Sequence, residues 1–279
     1  MVPPDLSRVV NPLLLVRTLR SHRQLIKQLF IRDLAQRYRG SYLGFFWSFL
    51  TPAAYLAIYT FVFSVVLKAR WQNLSGVSSP TTYALALFAG LVPFNVFSDV
   101  ATRAPHLILA TPNYVKKVVF PLEVLPVVAF LTALVHGAVG LVILVVSARL
   151  LLGPVPLDRL LLLPVAFFPL TFFCLAVAWV LASLGVYVRD IGQSVGVAVQ
   201  LLMFLSPVVY PLEAVPEKFR MVLLVNPLTT TMETIRRITL WDEPLDWTSL
   251  AFWTVLTAGM AWMSFVWFMK AKKGFADVL

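Results

Sequence analysis

One row of aromatic side chains in this sequence has the residue types and spacing of a ligand-contact surface. Trp47, Thr51, Tyr55, Tyr59 and Phe63 recur at every fourth position of an apolar segment. On a helix, residues four apart lie on neighbouring turns, so these side chains form one slowly winding stripe. Aromatic faces stack on the C–H faces of sugar rings, and Tyr or Trp adds a hydrogen-bonding group. The stripe therefore favours many weak contacts to a sugar polymer, while helix packing and interface anchoring remain open alternatives.

Residues that perform catalysis or bind metals are not grouped in the sequence. His22, His106 and His136 are far apart, and no H-E-x-x-H pattern occurs. No G-x-x-x-x-G-K-[ST] loop is present, so we expect no nucleotide hydrolysis by this chain alone. Asp242 and Glu243 are adjacent, but they fall on the predicted outer side, where no nucleotide-sugar donor is expected. We predict no catalytic residue, no metal site and no cofactor in this chain, which leaves transport or scaffolding.

The composition points to a bilayer as the solvent of the folded chain. Of 279 residues, 59% are hydrophobic and 13% are charged, and the mean hydropathy is +0.84. A soluble domain carries about 25% charged residues, so this chain could not cover a water-exposed surface. The net charge of +10 favours contact with anionic lipid headgroups over nucleic acid. The sequence therefore predicts an all-α membrane protein without a sizeable soluble domain.

The first 42 residues form a basic segment that is predicted to stay in the cytoplasm. Within it, residues 13–38 combine helically spaced apolar side chains with many arginines, which favours an amphipathic helix in the membrane interface. A charged leader that only sets orientation is the alternative. The apolar face would hold Leu15, Leu19, Leu25, Ile26, Leu29 and Phe30, and the basic side chains are Arg17, Arg20, Arg23, Lys27 and Arg32.

Residues 43–279 are predicted to form a membrane domain of six spans. The expected spans are 43–67, 82–100, 122–150, 160–188, 194–212 and 247–269. Gly90 and Pro93 are expected to break the second span, and Pro52 to interrupt the first. The stretch 219–231 is too short to cross and is broken by Asn226-Pro227, so we expect a re-entrant element or a partly helical outer loop.

Charge asymmetry sets the expected orientation. With six spans, fifteen of the 23 Lys and Arg residues fall on the side that holds both termini. The positive-inside rule then places both termini in the cytoplasm. On the outer side, Arg236 and Arg237 could meet an acidic group of the cargo or a lipid headgroup, and the sequence does not decide between these.

The predicted spans also indicate the depth of several polar side chains in the membrane. Tyr55 and Tyr59 fall near mid-membrane, where an unbonded hydroxyl would be costly, so they should face protein or a wet channel. Trp47 falls at the cytoplasmic boundary, where belt anchoring alone would explain it. His136 lies in the third span, and a hydrogen bond to a neighbouring helix is favoured over a role in a transport path. Gly137 would allow the close approach that such a bond needs.

A motif before and inside the first span carries a resemblance to a known family. Residues 32–67 resemble the opening of ABC-2 type permeases that export surface polysaccharides, such as the O-antigen and teichoic-acid exporters. Residues 116–126, 206–220 and 226–237 are similar to later segments of the same family, in the same order. The opening motif is met by Arg32, Asp33, Arg37, Tyr38, Arg39, Gly40, Ser41, Leu43, Gly44, Trp47 and Pro52.

The resemblance implies the permease half of a transporter in a bacterial inner membrane. Two copies of the chain would form the channel, and two copies of a separate ABC ATPase subunit, which binds ATP and Mg²⁺, would dock on the cytoplasmic side. The implied cargo is a polyprenyl-linked glycan such as O-antigen, and the alternatives are teichoic acid, drugs or small lipids.

The resemblance also implies where the ATPase subunit would be contacted. It places a coupling helix in the loop after the second span, at residues 103–120. A second cytoplasmic loop at 187–193 could either touch the ATPase or only keep the loop inside. The candidate coupling residues are Arg103, Asn113, Tyr114, Lys116, Lys117, Arg189 and Asp190.

Overall fold

The computed structural model describes residues 12–67, 80–116 and 120–279, and these residues form helices joined by turns, without strands. Five of the helical segments in this part of the chain are long and apolar enough to cross a bilayer. They are Gly44–Phe63, Thr81–His106, Val124–Leu151, Asp158–Tyr187 and Trp247–Val278. The all-helical membrane fold expected from the composition is confirmed.

The helices are numbered in chain order. They are α1 (Pro12–Ser21), α2 (Arg23–Tyr38), α3 (Trp47–Tyr59), α4 (Pro80–Arg103), α5 (Pro112–Lys116), α6 (Val124–Leu151), α7 (Leu157–Leu160), α8 (Leu163–Ala166), α9 (Phe168–Tyr187), α10 (Ile191–Phe204), α11 (Glu217–Leu224), α12 (Pro227–Arg236), α13 (Trp247–Ala271) and α14 (Phe275–Val278). Wider π-helical turns follow α3 at Thr60–Val66 and α12 at Arg237–Trp241.

The second span, α4, lies at the centre of the molecule. Of its most apolar stretch, 83% is buried inside the chain, against 11% for the first span. Small residues allow this burial: a Cβ at Gly140 would lie 3.0 Å from Val92 Cγ2, and one at Gly137 would overlap the Val96 side chain. The close approach that the sequence predicts at these glycines is therefore confirmed, and the third span packs directly on α4.

The fourth and last spans form the other closely packed pair. Trp179 on α9 meets Phe265 on α13 edge to face, with ring centroids 5.3 Å apart. The indole Nε1 of Trp267 donates to Ser183 Oγ at 2.9 Å. Beyond α13, the short helix α14 buries Phe275 completely, and Tyr187 at the end of α9 donates to the Ala271 carbonyl at 2.9 Å. The C-terminus is thus tied to the bundle.

Several predicted details of the helices are wrong. Helix α4 runs without a break through Gly90 and Pro93, because neighbouring helices pack against it over most of its length. Pro52 does not interrupt the first span either, since α3 continues through it from Trp47 to Tyr59. Residues 13–38 form two helices, α1 and α2, because the chain turns at His22, whose ring bonds back to the Thr18 carbonyl at 2.9 Å. An interfacial position for this pair stays a prediction.

The fifth predicted span corresponds to a shorter helix. Helix α10 has 14 residues, which is about 21 Å at the usual rise and less than the hydrocarbon thickness of a bilayer. The residues after Phe204 form turns, since Pro207 and Pro211 cannot donate backbone hydrogen bonds. The predicted count of six spans is therefore not confirmed, and the two short helices α11 and α12 occupy the region expected to be re-entrant.

Candidate functional site

A cavity of about 600 Å³ opens between the end of α2 and the first three spans. Its walls are mainly apolar, with Phe88, Leu91 and Val92 of α4 on one side. Its polar lining comes from both α2 and the spans. Those polar residues are Arg37, Tyr38, Ser48, Thr51, Asn95, Asp99 and His136. An apolar cleft with a few convergent polar groups is the usual form of a small-ligand site.

Most of the aromatic stripe faces this cavity. Trp47, Tyr55 and Tyr59 line it together with Thr51. The rings of Tyr55 and Tyr59 are stacked, with centroids 6.1 Å apart and planes 18° from parallel. Phe63 does not line the cavity; it stacks on Tyr83 with centroids 5.0 Å apart. Spacing by four residues thus brings three aromatic side chains and one threonine to the same opening.

An ion pair crosses the cavity between α2 and α4. Arg37 Nη2 donates to both carboxylate oxygens of Asp99, at 2.7 and 2.5 Å. Each side chain keeps about a quarter of its surface exposed, 26% for Arg37 and 28% for Asp99. The sequence analysis missed Asp99, although a single carboxylate inside an apolar span is itself a signal of a polar partner or a pathway.

A second polar contact joins α2 to the third span. The Tyr38 hydroxyl hydrogen-bonds to His136 Nε2. The other ring nitrogen, Nδ1, lies 2.8 Å from the Thr132 carbonyl oxygen. His136 is therefore bonded to a neighbouring helix, as its sequence context predicts, and it also lines the cavity. Together, the two contacts fix the end of α2 across the cavity mouth.

The other motif residues hold α2 against the loop after α4. Arg32 Nη1 donates to the Tyr114 hydroxyl at 3.0 Å. Arg103 Nη2 donates to both carboxylate oxygens of Asp33, at 2.7 and 2.9 Å. These pairs explain the Arg-Asp dipeptide of the motif, because Asp33 reaches the end of α4 and Arg32 reaches α5.

The chain turns in the middle of the motif, directly after α2. Gly40 has φ +82°, a conformation that side chains other than glycine rarely adopt, so it lets the chain turn from α2 towards the first span. Arg39, next to it, is exposed. The motif therefore both anchors α2 and ends it.

The candidate coupling residues differ in exposure and in whether they already have a partner. A short helix, α5, does occur in the loop after α4, and its Tyr114 stacks on Phe120 with centroids 4.3 Å apart. Asn113 is exposed, but Arg103 is already paired with Asp33. Lys117 lies outside the described residues, and for Lys116 only the backbone is described. In the second loop, Arg189 and Asp190 are exposed.

A charged pair missed by the sequence analysis lies beside α5. Glu123 is 5% exposed and its carboxylate accepts from Lys272 Nζ at 2.7 Å. Lys272 Nζ also donates to the Phe120 carbonyl at 3.3 Å, and Trp179 Nε1 donates to the Glu123 carbonyl at 3.1 Å. The loop after α5, the fourth span and the end of the last span therefore meet at Glu123.

Arg236 does not face the outside, contrary to the expectation for it. Its side chain is 0% exposed. Nε donates to the Ala86 carbonyl at 2.9 Å, Nη2 to the Pro207 carbonyl at 2.7 Å, and Nη1 to Glu233 Oε1 at 2.6 Å. Arg236 therefore fastens α12 to α4 and cannot meet a ligand there. Arg237 remains partly exposed and donates to the Pro244 carbonyl at 3.2 Å.

The part of the chain that the structure describes contains no group of three or more His, Cys, Asp or Glu side chains that could hold a metal ion. Cys174 is buried and has no disulfide partner. The polar residues of the cavity are hydrogen-bonding groups and one neutralised ion pair. This arrangement can bind a ligand through stacking and hydrogen bonds.

The fold and the cavity define a multi-span helical membrane protein with a ligand-sized opening among its first three spans. Comparison with known families identifies the family within this class. The model of the ABC-2 type transporter family matches residues 24–240. Because this match covers most of the chain, the protein belongs to the ABC-2 type transporter family, as its motif suggests.

Individual relatives are similar over nearly their full length. The O-antigen export system permease protein RfbA of Myxococcus xanthus is 29% identical over 265 residues, which are 94% of this chain and 98% of the relative. A protein of the same name from Klebsiella pneumoniae is 26% identical, over 89% and 92% of the two chains. The polysialic acid transport protein KpsM of Escherichia coli is 23% identical, over 83% and 88%.

Proposed function

We propose that this chain is the permease subunit of an ATP-driven exporter that moves a lipid-linked surface polysaccharide, such as O-antigen, across the inner membrane to its outer face. The observation that carries the proposal is the cavity whose walls bring together Trp47, Tyr55, Tyr59 and Thr51. The names of the relatives support the same cargo class. The chain itself is not an enzyme in this proposal, because ATP and Mg²⁺ bind in a separate subunit.

The stacked tyrosines suit a polymer that has to slide. Tyr55 is 49% exposed, so its ring face is available to a sugar, and Tyr59 continues the same surface one turn further. Stacking contributes about 0.5–1.5 kcal/mol for an aromatic pair, so several such contacts hold the polymer without a single high-affinity site. Each new sugar of the chain offers a similar face, so the contact can be made and broken repeatedly.

The second copy of the chain completes the channel in this proposal. The first span carries the stripe and is the least buried of the five long helices, with 11% of its apolar stretch inside the chain. A homodimer that brings two such spans together would place two aromatic stripes around one opening. This arrangement would shield the sugar hydroxyls from lipid, where unbonded polar groups are costly.

A sixth crossing is proposed for residues 191–209. At one end, Gly192 lies against the His106 ring, just beyond the cytoplasmic end of α4. At the other end, Tyr83 near the start of α4 hydrogen-bonds to the Val209 carbonyl. Helix α4 has 24 residues, about 36 Å. The segment therefore accompanies α4 over a full membrane thickness, with turns completing what the 14-residue helix cannot span. Both termini are then cytoplasmic.

The separate ATPase subunit is proposed to dock where the cytoplasmic loops are exposed. Helix α5, with Asn113 and Tyr114, and the loop at Arg189 and Asp190 offer this surface. Force applied to α5 would reach α2 through the bond between Tyr114 and Arg32. Since α2 closes one side of the cavity through Arg37 and Tyr38, its displacement would open the cavity towards the cytoplasm.

The test uses the purified complex of permease and ATPase subunit in nanodiscs. Added lipid-linked O-antigen should raise the rate of ATP hydrolysis, and Y55A/Y59A should lower the ratio of stimulated to basal rate several-fold. F61A serves as the matched control, because Phe61 lies in the same segment but is exposed and does not line the cavity. Equal ratios for the natural protein, F61A and Y55A/Y59A would contradict the proposed contact.

A further inference from the structure

The net charge of the cavity wall bears on which polysaccharide the cavity can accept. Its lining contains one arginine, Arg37, and one carboxylate, Asp99. The two form an ion pair in which Arg37 Nη2 contacts both carboxylate oxygens of Asp99, at 2.7 and 2.5 Å. The charges cancel within the wall, so a ligand meets neither a free cation nor a free anion there.

A neutral His136 ring satisfies both of its hydrogen bonds, so its bonding requires no charge in the wall. Its Nδ1 lies 2.8 Å from the Thr132 carbonyl, which can only accept, so Nδ1 carries the hydrogen. That leaves Nε2 free to accept from the Tyr38 hydroxyl in the neutral ring. Both hydrogen bonds are satisfied without a second proton.

Three other arginines are engaged elsewhere, and the exposed Arg39 does not line this cavity. Arg103 is held by both oxygens of Asp33 and does not line this cavity. Arg236 is completely buried against Glu233 and backbone carbonyls. Arg32 donates to Tyr114 and also lies outside the lining. Among the described residues that line the cavity, therefore, none offers an unpaired positive charge.

We propose that this cavity accepts uncharged sugar chains and discriminates against polyanionic ones. The inference rests on the proposed function and names the substrate class of the same site. Hydroxyl groups of neutral sugars can bond to the exposed side chains of Asn95 and Thr51, and their C–H faces can stack on the tyrosines. A chain with a carboxylate on every sugar would lose hydration in this apolar cleft with no cation to replace it.

The relatives make this distinction meaningful. Two proteins named for O-antigen export and one named for polysialic acid transport are similar to this chain at comparable identity. Polysialic acid is an acidic polymer, so overall similarity cannot decide which kind of cargo this chain accepts. The neutralised wall favours the uncharged kind.

The test measures equilibrium binding to the permease–ATPase complex in nanodiscs. The probes are oligomannose and oligosialic acid of equal length. We expect the acidic probe to bind the natural protein at least about tenfold more weakly, which corresponds to about 1.4 kcal/mol. D99N removes the carboxylate and frees Arg37, so it should tighten binding of the acidic probe several-fold, more so at low salt.

Two variants separate charge from local damage. R37Q/D99N restores a neutral wall and should return to the natural preference for the neutral probe. D33N also frees an arginine, Arg103, but outside the cavity lining, so it should leave the ratio of the two probe affinities unchanged. Equal or tighter binding of oligosialic acid to the natural protein would overturn the charge inference alone. If neither probe binds, the glycan site itself fails, and the charge inference fails with it.

Discussion

At the scale of single residues, buried charge fixes the positions of the polar groups in this bundle. Arg236 is completely buried, and its guanidinium reaches the carbonyls of Ala86 and Pro207 and the carboxylate of Glu233. Each of these partners belongs to a different turn or helix. A cation placed in this way contributes mainly by satisfying carbonyls that would otherwise be buried without a donor.

Replacing Arg236 should therefore be costly. R236Q leaves three buried carbonyls, those of Ala86, Pro207 and Val208, and the Glu233 carboxylate without the donor they have in the natural protein. We expect a loss of stability of about 3–5 kcal/mol, as for other broken buried pairs. R237Q is the matched control, since Arg237 is partly exposed and surface ion pairs contribute about 0–1 kcal/mol. Thermal unfolding of the two purified variants in the same detergent measures the difference. Equal melting temperatures would contradict the structural role of Arg236.

Some residue-level features were predictable and others were not. The aromatic stripe follows from spacing alone, because a helix repeats its faces every three to four residues. Asp99 was missed because its partner, Arg37, lies 62 positions away in the sequence. Arg236 was expected on the outer surface because the apolar stretch before it is short. Its burial depends on Ala86 and on the turn at Pro207, which no local pattern reveals.

At the scale of helices, several elements converge at the end of the bundle where α5 lies. Glu123 directly precedes α6, Lys272 directly follows α13, and Trp179 lies on α9. Their contacts surround Phe120, whose ring stacks on Tyr114 of α5. A displacement of α5 would therefore be passed to three spans as well as to α2.

Charge reversal of the Glu123–Lys272 pair tests whether a displacement of α5 is passed to the spans. E123K places two cations together in a poorly hydrated site, so we expect fewer polysaccharide chains exported per ATP hydrolysed. The double variant E123K/K272E restores an ion pair of reversed polarity and should recover a large part of that yield. Export and hydrolysis are measured on the same reconstituted complex. A double variant no better than E123K would contradict coupling through the pair.

The helix boundaries show where sequence patterns stop being informative. The unbroken α4 contains Gly90 and Pro93, which would end an isolated helix but are tolerated where neighbours surround the backbone. The turn at His22 divides α1 from α2 within one continuous amphipathic pattern. For α4 the deciding contacts are made by residues distant in sequence, whereas the turn at His22 depends on a side-chain bond to Thr18. Apolar spacing and helix propensity reveal neither, so they predict the wrong boundary.

At the scale of the whole molecule, the topology follows from how residues 191–209 accompany α4. If this segment crosses, the chain has six spans and both termini are cytoplasmic. If it does not, the C-terminus lies outside. Composition and charge asymmetry predict the first arrangement, and the contacts of Gly192 with His106 and of Val209 with Tyr83 support it.

Cysteine labelling in intact cells decides between these topologies. The natural Cys174 is buried and gives little background. A276C, in the exposed part of α14, should react only after the inner membrane is permeabilised, whereas K218C, in exposed α11, should react with an impermeant maleimide from outside. Labelling of A276C from outside would contradict six crossings.

The central claim is that the aromatic cavity of this permease carries a lipid-linked polysaccharide across the membrane when a separate subunit hydrolyses ATP. Its most direct test is ATP-dependent delivery of lipid-linked O-antigen across the membrane of proteoliposomes that contain the permease–ATPase complex. The account predicts delivery by the natural complex and by F61A, and at least about tenfold slower delivery by Y55A/Y59A, as expected for the loss of two stacking contacts. ATP hydrolysis without delivery, or delivery by Y55A/Y59A at the natural rate, would contradict it.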